Sequence, residues 1–289
     1  MSKSGRRGDA RKRPAFSWLM TAVAVLGGFS GHASAAPAPD APFGKSSPSP
    51  SSTFSYSDWN LVLSTFVDDR GAVDYAALAR APQALDRFLA AVERTSPDSE
   101  PALFPTRNDQ LAYYLNAYNA SVFRGVLARG PEKDSVWKGG LVSGYSFFVG
   151  TDIVLGGVKT NLKKLEDKTV RGRFADPRIH AALNCASRGC PRLARKAFEP
   201  ATLDAELDAA MREFVSEGRN VSVDTAARRV TLSKIFMWFE GDFLAFEKNQ
   251  GKANPTLVDY VNRYRAADAQ VPRDLRVGFA EYDKSLNGR

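Results

Sequence analysis

The chain has 289 residues, a formal net charge of +8 and a sequence pI near 9.5. Residues 1–35 carry six basic residues (Lys3, Arg6, Arg7, Arg11, Lys12, Arg13) against Asp9, so they hold five of those charges and leave +3 for the remainder. That balance excludes a nucleic-acid face of the usual basic kind, and the roughly 235 residues beyond a Pro/Ser-rich stretch suit one domain with its own core.

The N-terminus reads as a secretory signal. A basic start is followed by an apolar run from Ala15 to Phe29 and by the small-x-small pattern Ala33-Ser34-Ala35, with cleavage expected before Ala36. The run is shorter than the roughly 20 residues a bilayer span takes, so no membrane span is expected after cleavage. Gly8-Asp9 after Arg6-Arg7 favours the general export route over a twin-arginine one, and no cysteine near the cleavage site invites a lipid anchor. The expected location is periplasmic or extracellular. Residues 36–55, mostly Ala, Pro and Ser, read as a flexible tether, and 56–289 as a single domain.

Within that domain, Trp59, Val62, Leu63 and Phe66 predict a helix ended by Asp69-Arg70-Gly71, and Val73-Asp74-Tyr75 leads into a helical stretch through Leu78, Leu85, Phe88 and Leu89. The strongest helix is predicted over Asn108–Arg129, with a core stripe of Leu111, Leu115, Tyr118, Val122 and Val126 and a Gly130-Pro131 stop. Asn116 and Asn119 stand about 140° and 80° from Leu111 on that wheel. Asparagine is a poor mid-helix residue, so the two imply specific hydrogen bonding. Phe147-Phe148-Val149 and Ile153-Val154-Leu155 read as short strands, with a Gly156-Gly157 turn into Val158-Lys159-Thr160. Asn161 caps a helix through Leu162, Leu165 and Val170. Leu203–Val215 and Leu257–Tyr264 read as helices, Val221–Val223 with Arg229–Leu232 as a hairpin, and Ile235–Phe246 as aromatic-rich. The fold class is α+β, helix-rich, with a small, mainly antiparallel sheet built from short hairpins.

Chemistry concentrates in one stretch. Without the signal, His180 is the single histidine, and it falls within eleven residues of both cysteines, Cys185 and Cys190. Arg178–Cys185 alternates as a strand would, placing Ile179, Ala181, Leu183 and Cys185 on one face and His180 and Asn184 on the other. A His180–Cys185 dyad therefore requires Cys185 to lie past the strand end, in the turn that Asn184-Cys185-Ala186-Ser187-Arg188-Gly189 spells. Several readings stay open: a Cys185–Cys190 disulfide, Cys-His nucleophilic catalysis, thiol redox exchange, a metal site of His180, Cys185 and Cys190 with a carboxylate such as Asp176, or plain packing. No Gly-rich phosphate loop, His-Glu-x-x-His or Gly-x-Ser-x-Gly string occurs, and no cofactor is expected.

The stretch Asp176-Pro-Arg-Ile-His-Ala-Ala-Leu-Asn-Cys-Ala-Ser-Arg-Gly-Cys-Pro-Arg-Leu193 resembles the central signature of the domain-of-unknown-function 547 family (DUF547). Val73-Asp74-Tyr75, Leu115–Ala120, Leu162–Arg171, Leu232–Phe236 with Trp238 and Asp242-Phe243, and Tyr282–Asn287 resemble its other motifs in order, so the resemblance covers about residues 56–287. The chain departs from the family pattern at Lys163, Lys164 and Lys284, all outside the His-Cys segment. The resemblance carries no settled activity. It implies a pairing of His, Asn and two Cys that also occurs in members from reducing compartments, which weighs against an obligatory disulfide.

The leading expectation is a thiol-dependent amide hydrolase or acyl transferase of the cell envelope, acting on a small-molecule or peptide-like substrate. Cys185 is the nucleophile, His180 the base, and Asn119 or Glu166 the orienting group, with Asn116, Asn184, Arg171 and Asp242 as further polar candidates. The rivals are a non-enzymatic envelope binding module stapled by Cys185–Cys190, and the His/Cys metal site.

Overall fold

The computed structural model describes residues 53–130, 132–137 and 145–289. The expected signal, and the tether as far as residue 52, lie outside the described residues. Phe54, inside the stretch read as tether, packs its ring edge-on against Tyr56, Phe88 and Tyr113.

Helices α1 (Ser57–Phe66), α2 (Tyr75–Arg80) and α3 (Gln83–Arg94) come first. Asp74 caps α2 through the Ala77 N–H, and Pro82 divides the stretch read as one helix into two, because proline disfavours a helical residue before it. Then α4 (Arg107–Arg129) runs through the middle of the molecule, started by a reciprocal Thr106–Asp109 capping box. The single stripe expected of it is an underestimate. Every residue from Leu111 to Phe123 is buried, as in a helix packed on all sides.

Phe147-Phe148-Val149 is not a strand; it lies in helix α5 (Tyr145–Gly150), with Phe147 and Phe148 buried. Strands β1 (Asp152–Leu155) and β2 (Val158–Asn161) form the expected hairpin, pairing Ile153 with Thr160. Asn161 caps the helical stretch that follows, built from α6 (Leu162–Lys164), a π-helical segment (Leu165–Arg171) and α7 (Gly172–Phe174). Helix α8 (Leu203–Ser216) precedes β3 (Val221–Asp224) and β4 (Arg229–Leu232), an antiparallel pair as expected. Ser233 then caps α9 (Lys234–Trp238), and α10 (Glu240–Asn249) and α11 (Leu257–Tyr264) follow. Strand β5 (Arg276–Phe279), unforeseen in the sequence, pairs parallel to β4. The architecture is α+β, with two small sheets on a helical body.

Two apolar cores form. One gathers around α1–α4 and the β1–β2 hairpin; the other collects Met211 and Phe214 of α8, Val230 and Leu232 of β4, Phe236, Phe243 and Tyr260. The His-Cys segment lies on their seam: Ile179, Ala182, Leu183 and Ala186 pack into the first and Ala181 into the second. Burial on both sides holds its backbone in place, and that rigidity is what a positioned side chain requires. Among the described residues no helix is long and apolar enough to cross a membrane.

Candidate functional site

The His-Cys segment is not the strand its alternation suggested. Pro177–Ala181 forms a 3-10 turn capped by Asp176, whose carboxylate accepts from the Arg178 N–H, and an irregular turn carries the cysteines. At three residues per turn the even–odd rule does not apply, so the side chains are free of the parity that separated His180 from Cys185. Ala186, next to Cys185, adopts a left-handed φ of 62° in a fully buried position, a conformation that alanine holds only under local constraint.

That constraint comes from the asparagines. Asn119 of α4 donates to the Ala182 carbonyl at 3.0 Å and accepts from the Asn184 N–H at 2.9 Å. Asn184 in turn donates to the Pro191 carbonyl and accepts from the Ala186 N–H and from Asn287. Asn116 pairs with both the N–H and the carbonyl of Phe198. All three amides are therefore spent on backbone and, for Asn184, on the Asn287 side chain, and none is hydrogen-bonded to the imidazole. The structure corrects the expectation that Asn119 orients His180.

The orienting group is Asp242, in the first turn of α10. Its Oδ2 lies 2.8 Å from His180 Nε2, and Arg171 closes on both of its oxygens at 2.7 and 3.0 Å. The imidazole is 4% exposed and stacks on Phe239 with centroids 4.0 Å apart. Burial lowers the His180 pKa, with Asp242 pulling the other way. Although burial alone raises a carboxylic acid, the hydrogen bonds from His180 and Arg171 hold Asp242 well below the usual carboxylate range. The result is a neutral imidazole beside an anionic carboxylate. With Nε2–H given to Asp242, the ring's lone pair resides on Nδ1.

Cys185 and Cys190 carry free thiols in this structure. The Cys185 N–H donates to Cys190 Sγ at 3.0 Å, and the Tyr282 hydroxyl stands 3.2 Å from each sulfur. Ser187 Oγ lies 3.6 Å from Cys185 Sγ and accepts the Trp137 indole N–H at 2.6 Å. Donation from Cys190, set against burial and joined by Tyr282 and Ser187, lowers the Cys185 pKa below that of an ordinary thiol. Burial first, then the neighbouring Cys185, pushes Cys190 well up. One sulfur is thus disposed to be thiolate and the other to remain its hydrogen-bond donor.

Both centres open on one cavity of about 490 Å³, lined by His180, Cys185, Cys190, Glu166 and Arg171, with Trp137, Trp238, Phe239 and Tyr282 as aromatic walls. Glu166, in the π-helical segment, accepts from Tyr118 at 3.2 Å, and burial raises its pKa. It shares the cavity but does not touch His180. The segment's wider turn supplies Glu166 and Arg171 to the same wall, a common use of such irregularities. Of the candidates, Cys185, His180, Glu166, Arg171 and Cys190 meet here, with Asp242 behind the imidazole. Among the described residues no group of three or more His, Cys, Asp or Glu side chains is placed to hold a metal ion, so His180, Cys185 and Cys190 do not form the metal site considered above.

Sequence reading missed Tyr282, Ser187 and Trp137 as parts of the site. Tyr282 arrives from 97 positions downstream because the chain, leaving β5, lies against the cysteine turn, with Arg188 N–H donating to Ser285 and Gly189 N–H to Asp283. Gly189 permits that approach, since a Cβ there would meet the Tyr282 ring at 2.8 Å and the Asp283 carbonyl at 2.9 Å. The one signal for Tyr282 was its place at the head of the terminal motif. Lys163 and Lys284 stand outside the His-Cys segment in sequence, yet both line its cavity.

No curated protein and no solved structure matches the chain. A family model matches residues 103–215, a span that holds His180, both cysteines, Glu166 and Arg171 but not Asp242 or Tyr282. Over that span the chain is similar to the family described as "Protein of unknown function, DUF547".

Proposed function

We propose that the cavity carries out thiol-dependent acyl transfer, as an amide hydrolase or acyl transferase of the cell envelope, on a substrate that enters between Cys185 and His180. The observation that supports it is a half-buried thiol with several donors around it, facing the same space as an imidazole held by a carboxylate. Cys185 thiolate attacks the acyl carbon, forming the S–C bond. His180, its orientation set by Asp242, takes the Cys185 proton at Nδ1 and gives it to the departing group as the bond between that group and the acyl carbon breaks. Water or a second nucleophile, deprotonated at the same nitrogen, then cleaves the thioester and restores the thiol. Export of the mature chain, read from residues 1–35, supplies the envelope setting.

The test uses p-nitrophenyl acetate with intact-mass detection. The expected result is one acetyl group on Cys185, none there in Cys185→Ser, and acetylation slowed at least tenfold in Asp242→Asn. Acetylation that ignores both substitutions refutes the assignment.

A second reading draws on the closeness of the two sulfurs around Tyr282: a binding module whose Cys185–Cys190 pair closes to a disulfide in the exported protein. Thiol alkylation of the protein from its native compartment separates the two. Two reactive thiols without reductant refute the disulfide.

A further inference from the structure

The cavity around Cys185 carries three cations, Lys163, Arg171 and Lys284. Two are already matched by carboxylates outside the lining: Lys163 and Arg171 both pair with Asp167, and Arg171 also closes on Asp242. Lys284 is different. Among the described residues no carboxylate lies within ion-pair distance of it, and its ammonium stands 5.4 Å from the centre of the Trp137 ring.

Its position is fixed rather than incidental. The Lys284 carbonyl accepts from Ser135 Oγ, which pins the backbone two residues beyond Tyr282. Trp137 connects the lysine to the nucleophile, because its indole N–H donates to Ser187, the hydroxyl next to Cys185 Sγ. Trp137 and the half-exposed Trp238 lie 6.2 Å apart at 31°, so the space beside the ammonium is walled by two broad apolar rings. A cation without a counter-ion, at an aromatic wall and near a reactive sulfur, is what recognition of an anionic group on a bound molecule requires.

We propose that Lys284 reads a carboxylate on the acyl substrate, so that the cavity selects carboxylate-bearing acyl donors whose apolar portion lies along Trp137 and Trp238. This rests on the thiol reading above. Lys163 and Arg171 keep their own carboxylates and hold the wall, and Lys284 supplies the one uncommitted positive charge among the described residues of the cavity.

Alkylation of Cys185 tests this without knowledge of the natural substrate. Iodoacetate carries a carboxylate and iodoacetamide does not; both transfer the same carbon to the thiolate with loss of iodide. Rates at Cys185, located by peptide mapping, are compared with those of N-acetylcysteine to cancel intrinsic reactivity. The expected result is a preference for iodoacetate of roughly fivefold at low salt, shrinking as salt is added. Lys284→Gln should bring the ratio close to one. Lys164→Gln, an exposed lysine on the same helical stretch as Lys163 but outside the cavity lining, should leave it unchanged. An unchanged ratio in Lys284→Gln overturns the proposal. So does an equal loss of both rates, which would mean that the lysine serves the thiolate and not the ligand. A Cys185 that reacts with neither reagent overturns the thiol reading itself.

Discussion

Replacement of Tyr282 by phenylalanine removes one hydroxyl and little else, since the ring remains packed 4.7 Å from Trp238 and 6.1 Å from Trp137. The lost hydroxyl lies 3.2 Å from both sulfurs. A hydrogen bond to a charged acceptor contributes about 1.5–3 kcal/mol. The lower end applies here, because one phenol proton serves two sulfurs and Cys185 is only half-buried. At about 1.4 kcal/mol for each factor of ten, the thiolate fraction of Cys185 should fall about tenfold at any pH below its midpoint. The remaining thiolate is more basic and about threefold more nucleophilic, from a Brønsted slope near 0.4–0.5. Iodoacetamide should therefore alkylate Cys185 in Tyr282→Phe about threefold more slowly on the acid side and about threefold faster on the alkaline plateau, so that the two pH profiles cross. Rates are read by mass spectrometry across the pH range. Superimposable profiles would show that Tyr282 does not stabilise the thiolate. A uniform slowing at every pH would mean that access, not ionisation, had changed.

Asn119→Ala should orphan the buried Ala182 carbonyl and Asn184 N–H, costing about 2–4 kcal/mol by urea denaturation; a loss under about 0.5 kcal/mol would contradict its role as a staple. Gly189→Ala should push the Tyr282 segment off the cysteine turn. It should cost about 1–3 kcal/mol and move the alkylation profile in the same direction as Tyr282→Phe, and an unmoved profile would refute the close approach. His180 is buried with a lowered pKa, so the unfolded chain takes up its proton first as pH falls below about 6.5. Stability should be full above that pH and decline below it, by at most about 1.4 kcal/mol per pH unit, and Asp242, also lowered, adds a loss of the same sign at more acid pH. His180→Gln should flatten the slope of the urea midpoint between pH 5 and pH 7; an identical slope would place the titration elsewhere.

Local signals carried the helical body and the β3–β4 hairpin, because periodicity and capping act over a few residues: the predicted Leu257–Tyr264 helix is α11 with the same bounds. They failed where tertiary burial set the conformation. Phe147–Val149 spelled a strand by side-chain type and became part of a helix that buries Phe147 and Phe148, and Arg178–Cys185 alternated like a strand but forms a 3-10 turn to Ala181 and an irregular turn after it, packed between two cores. The choice of His180, Cys185 and Cys190 needed only composition, since no other imidazole or thiol remained once the expected signal was set aside. Their partners were another matter. Asp242, 62 positions from His180, and Tyr282, 97 from Cys185, reach the site because β4 and β5 run parallel and deliver α9, α10 and the C-terminal segment to one side of the turn. Residue types and spacing alone named the candidate groups of this chain. Which group holds the imidazole and which lowers the thiol depended on through-space distances of about 3 Å between segments far apart in sequence, and those distances only the packed tertiary structure decides.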